Sequence, residues 1–276
     1  MVKKIYIVIV MMIVLILIFS VIVLAEWGVP ILWEHSSAAT QRMPWLAGNI
    51  LYFVQDYDIV FSTWDGSKWS TPEPVQGTIN TDANEINPAV IKGGKVLYFA
   101  RYDPITDYDF YRSEWNEEKG EWGLPVLVEE ISTDIQDWDV WVSEDETLLY
   151  LTTIGTFGSQ ESLGGRDIWK ATRDGEKWTT PVNVGAPVNS ESNEWSVFVG
   201  ANGEIYFDSN RGGGQGNYDM WKAINETSEH INLGVPFNSA DAERSMAFND
   251  QFFFFAASKR EGRSGYDLWY SVKRQD

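Results

Sequence analysis

The stretch Asn183-Val184-Gly185-Ala186-Pro187-Val188-Asn189-Ser190 leads through Glu194 to Ile205-Tyr206-Phe207-Asp208-Ser209-Asn210-Arg211-Gly212-Gly213 and closes on Asp219-Met220-Trp221. It is one copy of a repeated unit. The closing Asp-apolar-aromatic tripeptide returns at Asp109-Phe110-Tyr111, Asp167-Ile168-Trp169 and Asp267-Leu268-Trp269, and in weaker form at Asp58-Ile59-Val60. Successive copies lie 51, 58, 52 and 48 residues apart.

The same surroundings travel with each copy. An apolar-aromatic run stands upstream: Leu51-Tyr52-Phe53, Leu97-Tyr98-Phe99, Leu149-Tyr150-Leu151, Ile205-Tyr206-Phe207 and Phe252 to Phe255. Such short runs bounded by polar residues or Gly read as buried strands. Turn pairs such as Gly93-Gly94 and Asn202-Gly203 precede them and suit tight hairpins. Further upstream a strand begins with an acid: Glu85, Asp137, Glu194 or Glu243. Downstream come a second turn and Trp-x-x-Pro, at Trp69, Trp122 and Trp178, where Pro suits an edge strand. Each unit therefore reads as four antiparallel strands, A to D. The period is close to the roughly 40–50 residues of a propeller blade.

The ends of the chain support a ring. One Trp-x-x-Pro, Trp27 to Pro30, precedes any A, B or C strand, while the last copy stops after its C strand at Lys273-Arg274. The N-terminal segment is then the missing outer strand of the last blade, and closing the ring that way removes open sheet edges. The expected fold class is all-β: a five-bladed β-propeller over residues 26–276. The fourth unit departs from the pattern, with His230-Ile231-Asn232 in place of Trp-x-x-Pro.

The quoted residues of the fourth unit resemble the WD-repeat-like propeller unit of the TolB type, which also occurs in propellers attached to OmpA-like envelope domains. The resemblance covers residues 27–276. It implies a propeller in an extracytoplasmic setting and no single reaction, because propellers host many activities.

Residues 1–25 are a separate object. Lys3 and Lys4 precede an uncharged apolar run from Ile5 to Leu24, 20 residues that would span a bilayer core as a helix. Val23 and Ala25 also offer a small-residue cleavage site. A transmembrane anchor and a signal peptide both place residues 26–276 outside, the chain being membrane-anchored or secreted.

Composition narrows the partners. The net charge of -19, from 21 Lys+Arg against 40 Asp+Glu, disfavours nucleic acid. The absence of Cys excludes disulfides and thiolate chemistry, and two His are too few for a histidine-rich zinc site. An envelope protein or a glycan is the expected partner. No cofactor is expected, with Ca²⁺ the possible exception.

Glu85, Asp137, Glu194 and Glu243 are the first candidate ligand-binding residues, since A strands line a propeller channel and the acids would ring its mouth. Three readings stand. The acids bond locally to their own blades, or they hold a cation such as Ca²⁺. Alternatively Glu194 and Glu85 act as acid and base of a glycoside hydrolase. Catalytic acids should break a repeat, and these obey it, so a binding or scaffold role leads. Trp195, beside Glu194, is expected to be partly exposed and to contact ligand. The C-strand aspartates read as structural acceptors for turn amides. Arg101, Arg211 and Arg260, each after a B strand, read as salt-bridged supports.

Overall fold

The computed structural model describes residues 26–36 and 39–274, so the apolar segment from Ile5 to Leu24 lies outside the described residues. Among the described residues no helix is long and apolar enough to cross a membrane.

Five antiparallel sheets are arranged as the repeat requires. The A, B and C strands of blade 1 are Gln41–Ala47, Ile50–Gln55 and Asp58–Thr63; of blade 2, Glu85–Ile91, Val96–Asp103 and Asp107–Asn116. Blade 3 has Asp137–Val142, Leu148–Thr153 and Asp167–Asp174; blade 4 has Glu194–Val199, Ile205–Ser209 and Asp219–Ala223; blade 5 has Ala242–Phe248, Phe252–Ser258 and Tyr266–Val272. Outer strands are short. Glu73–Pro74 serves blade 1 and His230–Asn232 serves blade 4, while blades 2 and 3 carry theirs in two pieces. Ile31–Leu32 supplies the outer strand of blade 5, with Ile31 opposite Tyr270 and Leu32 opposite Trp269. The chain is a five-bladed β-propeller closed by its N-terminal strand.

Closure is fixed by packing as well as by the ladder. Trp33 is 1% exposed and meets the rings of Phe53 in blade 1 and Phe254 in blade 5 edge-on, at 5.1 and 6.3 Å. Trp69, from the Trp-x-x-Pro of blade 1, packs on Phe252 and Phe254 of the neighbouring blade. Between blades 1 and 2, Gly77 adopts φ +97 against the backbone of Trp122, and an added Cβ would sit 2.3 Å from the Trp122 carbonyl oxygen. Only glycine fits there.

Every A strand slips register against its B strand near its start: between Arg42 and Trp45, Ile86 and Ala89, Asp137 and Asp139, Glu194 and Ser196, and Arg244 and Met246. Pro44 and Pro88 sit within these bulges, where a missing N–H costs no ladder bond. A bulge re-aims side chains, and here it frees polar groups to bridge adjacent blades across the channel. Asn87 Nδ2 donates to the Trp138 carbonyl at 2.5 Å, Thr152 Oγ1 to the Trp195 carbonyl at 2.9 Å, and the Val197 and Ser245 amides to Asp139 and Asp208 at 2.8 and 2.9 Å. Thr152→Val removes one such brace and leaves the Trp195 carbonyl without that donor. It should cost about 1–2 kcal/mol, measured as a lower midpoint in urea with unchanged slope.

Candidate functional site

The four recurring acids do not line the channel cavities. All are fully buried, and each is gripped by the loop that enters its own A strand. The residue four positions earlier donates both its amide and its hydroxyl: Thr81 to Glu85, Thr133 to Asp137, Ser190 to Glu194 and Ser239 to Glu243. In three blades an arginine adds charge, inside the end of the B strand at Arg101 and just past it at Arg211 and Arg260. Arg101 meets Glu85 at 2.8 Å, Arg211 meets Glu194 at 2.8 Å and Arg260 meets Glu243 at 3.6 Å. The same arginines donate to carbonyls of the entering loop, at Ile79, Pro187 and Phe237. Each acid–arginine pair thus staples a loop to its blade. Blade 1 does this without charge, Gln41 bonding to Gln55 and the His35 carbonyl. Blade 3 has Thr153 where blade 2 has Arg101, and burial pushes the Asp137 carboxyl up to about 7 against the pull of the Thr133 bonds. The C-strand aspartates accept turn amides as well: Asp167 from Leu163 and Gly164, Asp219 from Gln215 and Gly216.

Two carboxylates that stand outside the repeat occupy the channel itself. Asp139 lies on the A strand of blade 3 and Asp208 on the B strand of blade 4. Burial raises Asp139 to about 7, and Asp208 adds to the shift. Asp208 is raised by burial too, against the opposing charge of Arg244 at 3.5 Å. Both are placed for acid-base chemistry only if a substrate can reach them, and the cavity beside Asp139 is only about 20 Å³. That is room for one water and not for a sugar ring.

The channel opens differently at its two ends. At the end where A strands begin, the mouth is ringed by side chains adjacent in sequence to the recurring acids. Arg42, Trp138, Trp195 and Arg244 follow Gln41, Asp137, Glu194 and Glu243. Tyr57, Tyr108, Arg166, Tyr218 and Tyr266 each precede a C-strand aspartate. They touch in sequence round the ring. The Arg42 guanidinium lies 4.9 Å from the Tyr57 ring, Tyr108 meets Trp138 edge-on at 5.4 Å, and Arg166 covers Trp138 and Trp195 at 5.1 and 4.3 Å. Trp195 is half-buried, bonds to the Tyr218 hydroxyl through Nε1 at 2.6 Å, and carries Arg244 at 4.0 Å. The repeat shows this outer ring plainly, as a tyrosine before the Asp in every blade but the third.

At the opposite end the channel widens into a cup of about 380 Å³. Trp45 and Trp141 from A strands, Phe198 and Phe248 from A-strand ends, and Tyr206 from a B strand form its aromatic wall. Trp141, Phe198, Tyr206 and Phe248 keep part of their surface open. Three of the four carboxylates of the cup are already engaged: Glu204 with Lys222 at 3.1 Å, Glu26 with Lys273 at 3.0 Å, and Glu144 with the Gly93 amide at 2.6 Å; Asp250 is the fourth. Among the described residues no three acidic or imidazole side chains converge as metal ligands.

No family model matches the chain, and no curated protein matches it. Solved structures do share its architecture. A GH43 β-xylosidase/α-arabinofuranosidase from a compost microbial metagenome, in complex with xylotriose, is 12% identical with TM-score 0.54, covering 90% of this chain and 96% of that one. A protein of unknown function from Dyadobacter fermentans is 10% identical with TM-score 0.53, covering 91% and 99%. The tricorn protease is 11% identical with TM-score 0.50; 79% of this chain aligns to 24% of that much longer one. What they share is the propeller fold. At such identities the likeness extends no further.

Proposed function

We propose that the protein is an extracytoplasmic binding and scaffold propeller of the cell envelope that takes a glycan in the aromatic cup. The observation that carries this reading is the cup's size and lining. Ligand pockets run to about 300–1,000 Å³ and combine aromatic walls with a few polar groups. The cup meets that description at about 380 Å³, and flat rings with open faces suit sugar rings. The Lys3-Lys4 pair followed by the apolar run from Ile5 supports the envelope setting.

Binding is preferred to hydrolysis on access. Glycoside hydrolysis needs two carboxyl groups flanking the bond, with one pKa raised. The raised carboxyls of the blade interiors, Asp137, Asp139, Glu194, Asp208 and Glu243, are all buried, and the cavity beside Asp139 is only about 20 Å³. Of the cup's own carboxylates, Glu204 and Glu26 are tied to lysines and Glu144 to the Gly93 amide, which leaves Asp250 as a single carboxylate where hydrolysis needs two.

The test is a thermal melt of the full chain against soluble neutral oligosaccharides of several linkages. A ligand at 100 times its Kd should stabilise the fold by about 2.7 kcal/mol, or roughly 5–10 °C for a domain of this size. Trp141→Ala should abolish the shift while leaving the unliganded midpoint within a few degrees. Steady release of reducing ends, lost in Asp139→Asn, would replace binding with hydrolysis. No shift with any saccharide would remove the glycan reading.

A further inference from the structure

The mouth opposite the cup gathers three arginines on a strongly acidic chain. Arg42, Arg166 and Arg244 converge there, and only Arg244 has a carboxylate within ion-pair distance among the described residues. Each arginine keeps a buried N–H with no acceptor: Nε of Arg42, Nε of Arg166 and Nη2 of Arg244. Burying a charged donor without an acceptor is costly, so three together form a standing demand for an anion. Burial and the neighbouring Arg244 draw Arg166 down to about 10, which leaves it charged at neutral pH. Arg42 and Arg244 share a cavity of about 30 Å³ with Trp138 and Tyr266. That is space for roughly two water-sized oxygens, the number a carboxylate carries.

Two further features mark the mouth as a recognition surface. Asp56 and Tyr57 form a two-residue turn with φ of 50 and 75, where Gly or Asn is the usual second residue. A tyrosine held at positive φ costs roughly 1–2 kcal/mol, and the conformation sets its ring against Arg42 at the mouth. On the same face Ile105 is 88% exposed and Ile135 is 48% exposed, and their loops are joined by the bond from the Gln136 amide to the Thr106 carbonyl. Aliphatic side chains offer little to a sugar and suit an apolar residue of a peptide.

We propose that this mouth binds an acidic peptide segment of a partner protein, one carboxylate seated between Arg42 and Arg244 and an aliphatic neighbour resting on Ile105 and Ile135. The site is separate from the cup and stands whether or not the cup takes a glycan. The two together would make the propeller a bridge between two partners.

The experiment is selection from a display library of random seven-residue peptides on the full chain. Winners are then synthesised and titrated by tryptophan fluorescence, Trp138 and Trp195 being the reporters. The expected winners carry Asp or Glu next to Leu, Ile or Val. Changing their acid to the amide should weaken binding at least tenfold, and raising salt from 50 to 500 mM should weaken the parent peptide. Arg42→Gln should weaken the acidic peptide tenfold and erase its advantage over the amide, with an unchanged melting midpoint. Ile105→Asp should lower affinity without touching that advantage. Arg244→Gln is the less safe variant, because Arg244 also pairs with Asp208. Selection of neutral or basic peptides, or equal binding of acid and amide, overturns the proposal. So does an empty selection, and so does a hexuronate trisaccharide that binds where no peptide does.

Discussion

Replacing Arg211 with Met should lower the stability of the fold by about 3–5 kcal/mol at pH 7, a fall of roughly 10 °C in melting midpoint. Arg211 contacts Glu194 at 2.8 Å with the glutamate fully buried, donates to the Pro187 and Val188 carbonyls, and lies 4.6 Å from the Phe207 ring. Removing it strands a charge and two loop carbonyls together. Glu194→Gln in the parent background should cost less, because the amide oxygen can still accept one of the two Ser190 bonds and no charge is stranded on the carboxylate side. The double variant should recover part of the Arg211→Met loss, giving a coupling energy of 1 kcal/mol or more. A second signature separates charge from packing. Burial already raises Glu194, and without Arg211 it would rise further, so the deficit of Arg211→Met should shrink as the pH falls from 7 to 5. A deficit equal at both pH values, with no coupling in the double variant, would show that Arg211 acts as a packing side chain and that the staple is not electrostatic.

That staple is the part of the site most open to reading from sequence. The acid and the arginine recur 16 or 17 residues apart in three units, so the repeat makes both residues visible. It does not say which way they face. Strand alternation suggests that the acid at the head of an A strand looks into the channel. The bulges at Met43-Pro44, Asn87-Pro88, Trp138, Trp195 and Ser245 break that alternation, and the channel receives the bulge residues and their neighbours. Pro44 and Pro88, inside runs otherwise apolar and strand-like, were the visible warning in two blades. The cup is less legible still. Residue type does not separate a free face from a core face at Trp45, Trp141, Phe198 or Phe248. Only closure of five units into a ring brings their free faces together.

The blade order itself followed from the ends of the chain, through Trp27 to Pro30 and the missing outer strand after Arg274. The shortened fourth unit was readable as an irregularity and no more. His230–Asn232 fills the outer-strand position by pairing Asn232 with Trp221, with the same register logic as the Trp-x-x-Pro strands and without their tryptophan. A polar edge strand suffices there because it needs backbone pairing on one side only.

Acidification from pH 8 to pH 5 should stabilise the molecule, the reverse of what ion-paired carboxylates produce. Asp137 and Asp139 are each lifted by burial to about 7 from an ordinary 3.8. The folded state therefore binds more protons than the unfolded state across pH 4 to 7, and stability must fall as pH rises through that window. The contribution is complete below about pH 4 and gone above about pH 7. Three units for each residue correspond to about 4 kcal/mol, an upper bound shared with whatever relaxation the channel allows. Glu194, Glu243 and Asp208 are raised by burial in the same sense. Glu146 works against them. Burial would raise it, but the Arg112 and Tyr98 bonds outweigh burial and hold it low, so its protonation turns the curve over in stronger acid. Asp139→Asn isolates the effect, since the amide oxygen can still accept the Val197 amide at the place Asp139 Oδ2 does now. The variant should melt higher than the parent at pH 8, by a margin that narrows through pH 5 and closes near pH 4, and show a shallower dependence between. A parent midpoint flat from pH 8 to 5 would mean that the channel carboxylates are solvated or paired as they stand. The cavity beside Asp139 would then have to be wetter than its 20 Å³ implies, and the access argument against hydrolysis would fall with it.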